Sequence, residues 1–179
     1  MRIWTIGHST REIETFISML DENRIRALAD VRTFPGSRRY PQYNQSVLAK
    51  SLDEGRIRYE HFPELGGRRK PKPDSRNTAW RNESFRGYAD YMESDDFRAG
   101  TDRLLALAEH TGPTAIMCAE AVWWRCHRAL ISDFLKARGI EITHILASGK
   151  TQPHSFTSAA RVVNNELSYR STEQIDFEI

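Results

Sequence analysis

Residues 2–7 read RIWTIG and residues 9–23 read STREIETFISMLDEN, and together they predict the first strand and helix of the chain. The first stretch is rich in β-branched and aromatic residues, which favour a strand. In the second stretch apolar residues recur at helical spacing. Ser9 and Glu12 precede them and fit a capping box at the start of the helix.

The same alternation of strand and helix continues along the chain. Further strands are predicted at 25–31, 58–62, 114–118 and 140–146, and further helices at 47–52, 85–110 (one helix or a broken pair), 126–138 and 158–165. Strands that alternate with helices indicate a three-layer, Rossmann-like α/β fold, with a mostly parallel sheet and helices on both faces. We expect one such domain over 1–147, followed by a polar C-terminal extension over 148–179.

Composition excludes several classes of protein. The 179 residues are 39% hydrophobic and 28% charged, which is typical of a globular protein and not of a disordered one. No apolar run approaches the ~18 residues of a membrane span, and the N-terminus does not resemble a secretion signal. Two cysteines are too few for a disulfide scaffold. We therefore expect a cytoplasmic protein that does not bind membranes, and the sequence leaves its oligomeric state open.

Positive charge is concentrated in one part of the chain. Residues 32–86 carry 13 Lys or Arg against 6 Asp or Glu, whereas the whole chain has a net charge of only +2. Arginine accounts for 21 of the 26 basic residues. Its planar guanidinium suits contacts with phosphate and stacking on bases, so this segment favours an anionic partner.

Reactive residue types follow several of the predicted strands. Gly7-His8-Ser9 ends the first strand, Asp30-Val31-Arg32 the second, and Cys118-Ala119-Glu120 the strand at 114–118. In open α/β sheets, ligands bind in the crevice beyond the carboxyl ends of the strands. We expect the functional site to lie there.

These motifs carry a resemblance to a known family. The chain resembles the domain-of-unknown-function 488 family from about residue 3 to residue 145. The motifs that match in order are Gly7-His8-Ser9, Asp30-Val31-Arg32, the turn at 34–38 with Asn44, PELGG at 63–67, FRGYA at 85–89, and the pair Cys118-Ala119-Glu120 and Cys126-His127-Arg128. The resemblance implies the fold and the place of the site, and it implies no particular reaction.

Three of these residues are candidates for acid–base catalysis. Glu120 and Asp30 are the carboxylates best placed to activate a water, and His8 has a near-neutral reference pKa that suits a proton carrier. Each also has a structural alternative. Asp30 would pair with Arg32, Glu120 would form a salt bridge with Arg128, and His8 would be an ordinary buried donor.

Cys118 and Cys126 support a second kind of chemistry. Cys126 is predicted in the first turn of a helix beside Arg125 and Arg128, where the helix dipole and the cations favour a thiolate. Either thiol is a candidate nucleophile, and the alternative is two small buried residues that pack the strand–helix junction. Cys118, Cys126 and His127, with His8 as a further ligand, lack the short paired spacing of structural zinc sites. This spacing favours no metal at these residues, although the sequence leaves open whether one binds there, and we predict no cofactor.

Basic and aromatic residues alternate around the predicted crevice, a pattern typical of proteins that hold single-stranded or flipped nucleic acid. The candidate substrate-binding residues are Arg32, Arg38, Arg39, Tyr43, Asn44, Arg68, Arg69, Trp123, Trp124, Arg125, His127 and Arg128. The sequence thus favours an enzyme that binds DNA or RNA and acts on one nucleotide as a glycosylase or hydrolase, through a water activated by a carboxylate. The alternatives are a thiol-dependent enzyme for a small phosphorylated or sulfur-bearing substrate and a non-catalytic nucleic-acid-binding module.

Overall fold

The computed structural model describes residues 1–163 and 166–171 and has a central six-stranded sheet. The strands are β1 (Arg2–Gly7), β2 (Ala27–Asp30), β3 (Arg58–His61), β4 (Thr114–Cys118), β5 (Glu141–Ala147) and β6 (Lys150–Pro153). Their order in the sheet is β3-β2-β4-β1-β5-β6. The first five are parallel, and only β6 runs antiparallel to its neighbour β5.

In the part of the chain that the structure describes, five α-helices cover the two faces of this sheet. They are α1 (Ile13–Glu22), α2 (Gln45–Glu54), α3 (Glu83–Tyr91), α4 (Asp95–Thr111) and α5 (Arg128–Ala137). Buried side chains of α1 and α2 pack in one core, and those of α3, α4 and α5 pack in a second core across the sheet. The predicted three-layer α/β fold is therefore confirmed, and the region 85–110 is the broken pair of helices α3 and α4.

Side-chain alternation along the central strands decides which core each residue enters. In β4, Met117 belongs to the core of α1 and α2, whereas Cys118 belongs to the core of α3, α4 and α5. The connections after β1 and β4 also leave the sheet on opposite faces, through α1 and α5 respectively. Such a divergence between adjacent parallel strands opens a crevice at their carboxyl ends.

Two predicted helix starts are wrong. Ser9 is not an N-cap, because its φ of 51° turns the chain there and α1 begins only after Glu12. The backbone N–H of Ser9 instead bonds to the carbonyl of Ala119 at 2.9 Å, which ties the residue to the chain that follows β4. Cys126 likewise lies before α5 and not in its first turn, since the helix begins at Arg128.

The helix predicted at 158–165 is also wrong where the structure describes it. Arg161–Val163 forms a strand, β7, which pairs antiparallel with β8 (Glu166–Ser168). The β-branched residues Val162 and Val163 favour this extended conformation. Residues 164–165 of that prediction, and residues 172–179 of the predicted C-terminal extension, lie outside the described residues.

The segment after β5 packs against the domain. His154 and Tyr169 are buried and both hydrogen-bond to the carboxylate of Asp133 in α5, each at 2.9 Å. None of the helices in residues 1–163 and 166–171 has both the length and the apolar composition that a membrane span requires.

Candidate functional site

A cavity of about 540 Å³ opens at the carboxyl ends of β1, β2 and β4. Six of the predicted site residues line it: His8, Arg32, Arg68, Cys118, Glu120 and His127. The remaining walls come from residues that sequence reasoning did not select: Ser9, Thr10, Thr33, Phe34, Gly36, Ser37, Tyr40, Gly67, Ala119 and Ala121. The predicted place of the site therefore coincides with a real cavity.

Gly7 allows the chain after β4 to cross the end of β1. A Cβ atom at Gly7 would overlap the carbonyl oxygen of Glu120, so only glycine fits this close approach. The backbone N–H of His8 donates to the carbonyl of Cys118 at 3.0 Å and continues the strand pairing beyond Gly7. These contacts place residues 119–121 on the cavity wall.

Asp30 and Arg32 form a buried ion pair. The Arg32 guanidinium donates to both carboxylate oxygens of Asp30, with Nη2 2.6 Å from Oδ2 and Nε 2.9 Å from Oδ1. The hydroxyl of Tyr59 donates to Oδ2 at 2.7 Å, and burial, followed by the nearby Asp30 charge, raises the pKa of that phenol. Asp30 does not line the cavity. Its carboxylate is instead paired with Arg32, which is the structural alternative that the sequence offered.

His8 lies next to this ion pair. Its Nε2 is 3.3 Å from Nη1 of Arg32, which can only donate, so Nε2 accepts and Nδ1 donates to the carbonyl of Ser9 at 2.9 Å. Burial is the main cause that lowers the pKa of His8 to about 4, with a further contribution from the charge of Arg32. The ring also stacks on Tyr43 at 4.1 Å between centroids. His8 is therefore neutral near pH 7 with both nitrogens engaged, and a role as proton carrier would need this arrangement to change.

Cys118, Cys126 and His127 meet at the wall of the cavity. One ligand atom of each lies within 4.8 Å of those of the other two. The Cys126 Sγ is 3.6 Å from Nδ1 of His127, whose Nε2 is 3.1 Å from the carbonyl oxygen of Val31. That carbonyl can only accept, so Nε2 carries a proton, and Nδ1 is the ring nitrogen that faces the thiol. A Cβ at Gly67 would lie 2.9 Å from Nδ1, so this glycine leaves room for the ring.

Arg128 completes the cysteine cluster from the buried side. The residue is only 1% exposed, and its backbone N–H and its Nε both lie 3.5 Å from the Cys126 Sγ. Its Nη2 donates to the carbonyl oxygen of Glu120 at 2.5 Å and not to the Glu120 carboxylate. Burial alone would raise the pKa of Cys126, but the hydrogen bond with Cys118 and the neighbouring His127 and Arg128 outweigh it and lower that pKa well below its usual value.

The rim of the cavity is aromatic and basic. Phe34 is 71% exposed, and the guanidinium of Arg68 lies over its ring at 5.9 Å from the centroid. Arg38 and Arg39 are exposed on the same loop as Phe34, although neither lines the cavity. The side chain of Glu120 is exposed at the cavity wall.

Several predicted binding residues lie away from the cavity. Tyr43 is fully buried and donates its hydroxyl to the carbonyl of Arg11 at 2.9 Å, while Asn44 accepts from the backbone N–H of Ser37 at 2.6 Å and closes a loop. Arg69 stacks on the ring of Tyr91 at 3.6 Å. The side chains of these three residues are therefore engaged in contacts within the protein.

The two adjacent tryptophans are in different environments. Trp123 is buried and stacks on His144 at 4.2 Å between centroids. Trp124 is 50% exposed and contacts Trp123 edge to face, and the next residue, Arg125, is exposed. None of the three lines the cavity, so Trp124 and Arg125 are available only to a ligand that extends beyond it.

The hydroxyl residues of the wall are the main residues that sequence reasoning missed. Ser9 and Thr10 follow Gly7-His8 directly, and Thr33 follows Asp30-Val31-Arg32. Their place after a strand end was the available signal, because the same rule selected His8 and Arg32.

Comparison with known protein families agrees with the resemblance that the sequence motifs indicated. The family model described as "Domain of unknown function DUF488" matches residues 12–135, which is more than half of the chain. The chain belongs to the DUF488 family. No curated protein and no solved structure gives a significant match. The DUF488 match covers Asp30, Cys118 and Cys126 but begins after His8, and the family description assigns no reaction.

Proposed function

We propose that this DUF488 protein binds a single-stranded or flipped nucleic acid, holds one nucleotide in the cavity, and hydrolyses a bond of that nucleotide. The observation that carries the proposal is the rim, where Phe34 is 71% exposed with the Arg68 guanidinium beside it. An exposed aromatic ring next to an arginine offers a stacking surface for a base and a cation for its phosphate.

The size and the charge of this region also support a nucleotide. Small-molecule pockets usually measure roughly 300–1,000 Å³, and the cavity has about 540 Å³. It therefore suits one nucleotide, not a duplex. The flanking strand would follow the basic segment 32–86, in which Arg38, Arg39 and Lys70 are exposed.

Glu120 is the carboxylate in the best position for the reaction. Its side chain is exposed at the cavity wall, whereas Asp30 is buried in the ion pair with Arg32. A carboxylate that accepts a proton from water as the water attacks would serve either base excision or cleavage of the backbone. In the first case water replaces the base at the sugar, and in the second it replaces the leaving oxygen at phosphorus.

The thiol-dependent enzyme remains the alternative, with weaker support. Cys126 is only 3% exposed and does not line the cavity. A nucleophile has to reach the reacting atom of its substrate, so Cys118, which lines the cavity, would be the attacking thiol.

Fluorescence anisotropy with single-stranded DNA, duplex DNA and RNA at two salt concentrations tests the binding. We expect the affinity for a single strand to fall with salt, with a log–log slope of roughly −0.7 per phosphate contact. Phe34→Ala should weaken binding by about 5-fold or more, since stacking on one aromatic ring contributes roughly 1–3 kcal/mol. Arg68→Gln should make the slope shallower by about 0.7. Arg26→Gln is the matched control, because Arg26 is exposed just before β2, at the end of the sheet opposite to the cavity.

Turnover is tested separately with Glu120→Gln on whichever strand binds. We expect this variant to keep its affinity and to lose product formation. Full turnover by the variant would exclude Glu120 as the base. Binding with no product from the wild type would favour the non-catalytic module, and no binding at low salt would contradict the proposal as a whole.

A further inference from the structure

The cluster of Cys118, Cys126 and His127 has a property that the proposed function does not use. The spacing of these residues in the sequence is not that of a structural zinc motif, and it is the fold that brings them together. Cys118 ends β4 with its side chain in the core of α3, α4 and α5, and the other two residues lie immediately before α5. We propose that Cys118, Cys126 and His127 bind one divalent metal ion of the zinc class, with a fourth coordination position open to the cavity.

The distances suit such an ion. Bond lengths of about 2.3 Å to sulfur and 2.0 Å to nitrogen, at tetrahedral angles, separate a thiolate from an imidazole nitrogen by about 3.6 Å. The Cys126 Sγ and the His127 Nδ1 are 3.6 Å apart. The largest separation within the set is 4.8 Å or less, so Cys118 would approach by roughly 1 Å to complete the site.

The surroundings of His127 match those of a metal ligand. A metal-bound histidine usually donates its second ring N–H to a carbonyl or a carboxylate, which fixes the ring and directs the other nitrogen at the ion. The Nε2 of His127 lies 3.1 Å from the carbonyl oxygen of Val31. Nδ1 is therefore the ring nitrogen that faces the two cysteines.

Arg128 supplies an independent observation. A buried guanidinium is stable only beside an anion or several acceptors. Within residues 1–163 and 166–171, the polar partners that the structure gives to its guanidinium are the Cys126 Sγ and the carbonyl oxygen of Glu120. No described carboxylate forms a salt bridge with it. The guanidinium of Arg128 therefore lies against the sulfur of Cys126 and holds one of the proposed ligands in place.

The open position follows from the exposure of the ligands. Cys118 and His127 line the cavity, and Cys126 lies behind them. Three protein ligands with one open position are typical of catalytic zinc sites, whereas structural sites have four. Two thiolates neutralise a divalent ion, so the charge of Arg128 leaves the site positive. The fourth position would thus favour hydroxide or another anionic oxygen from the cavity.

Metal content tests this proposal without any substrate. The chain is purified under reducing conditions without a polyhistidine tag, stripped with a chelator, and titrated with Zn²⁺ and with Co²⁺. We expect one ion per chain, and with Co²⁺ the intense visible bands and sulfur-to-metal charge transfer of a tetrahedral thiolate site. Cys118→Ser and His127→Gln should weaken binding by more than the roughly 10–100-fold that loss of an outer partner costs. His110→Gln, at the exposed end of α4, should bind as the wild type does.

A second measurement on the wild-type chain covers the case in which a variant fails to fold. Alkylation of Cys118 by iodoacetamide is followed by mass spectrometry with and without Zn²⁺, and we expect the ion to protect the thiol. An equal rate of alkylation in both conditions, together with no bound ion, would overturn the proposal. Failure of this proposal would leave the anisotropy result unchanged, since nucleotide binding is assigned to Phe34 and Arg68.

Discussion

Two buried arginines, Arg32 in the cavity wall and Arg128 behind the cysteine cluster, have different surroundings. Arg32 faces the carboxylate of Asp30 and forms a bidentate ion pair that is complete within the protein. Arg128 faces a thiol and a backbone carbonyl. The charge of Arg32 is neutralised by Asp30, whereas the charge of Arg128 is neutralised only when Cys126 is ionised. The difference predicts that the Asp30–Arg32 pair contributes more to stability than the contact between Arg128 and Cys126, and it accords with the metal site that we propose for the cysteine cluster.

Replacing each of the two arginines by methionine tests this difference, and Arg32→Met has the largest expected effect. Arg32→Met leaves the Asp30 carboxylate buried without its cation, and breaking a buried pair in this way costs about 3–5 kcal/mol of unfolding free energy. Urea denaturation at pH 7 measures this loss. Arg26→Met at an exposed position should change stability by less than about 0.5 kcal/mol. A loss below about 1 kcal/mol for Arg32→Met would show that the ion pair is not structural.

Arg128→Met should have a smaller effect in the metal-free chain. A thiolate that loses its cation can take up a proton, which a buried carboxylate near neutral pH does much less readily. The remaining cost is the unsatisfied carbonyl of Glu120, at roughly 1–3 kcal/mol. The same urea experiment ranks the two variants. Equal or greater destabilisation by Arg128→Met would contradict the distinction between the two clusters.

A pH titration of stability gives the smallest effect. The pKa of His8 is about 4 in the folded protein, against the 6.5 of an unperturbed histidine. The folded state therefore binds fewer protons than the unfolded state in this window, and stability is lost as the pH falls from 6.5 towards 4. Between pH 7 and pH 5.5 the loss from His8 should be about 1 kcal/mol.

His144 also has a lowered pKa, of about 3, and contributes to the pH dependence of stability in the same direction. The variant His8→Asn keeps His144, so its difference from the wild type isolates the contribution of His8. The unfolding free energies of the wild type and of His8→Asn should approach each other by about 1 kcal/mol between pH 7 and pH 5.5. Parallel stability curves would show that His8 is not buried in its neutral form.

The sequence predicted the layered fold and the end of the sheet at which the cavity opens, because both follow from local periodicity and from the polar residues after strands. It could not predict which residues would meet there. Tyr43 and Trp123 share the residue types of a nucleic-acid contact, yet both enter the core, where Tyr43 stacks on His8 and Trp123 stacks on His144. Whether an aromatic ring points into the core depends on tertiary packing, which a loop sequence does not specify.

The cysteine cluster shows the same limit. Cys118 and Cys126 are separated by seven residues, and their spacing predicted no metal site. Their proximity to His127 depends on the alternation of β4, on the approach of residues 119–121 over Gly7, and on the room left by Gly67. Each of these features is local, but only their combination in three dimensions brings the three side chains together.

The most direct test of the central claim is an NMR titration of the isotope-labelled protein with a short single-stranded oligonucleotide. Binding in the cavity should shift the amide resonances of Ser9, Thr33, Gly67 and Ala121, which surround it. The amide resonances of Arg26 and Gly112, which lie before β2 and β4 at the opposite end of the sheet, should not shift. Shifts confined to that opposite end of the sheet, or no shifts at low salt, would contradict the assignment of the cavity as a nucleotide site.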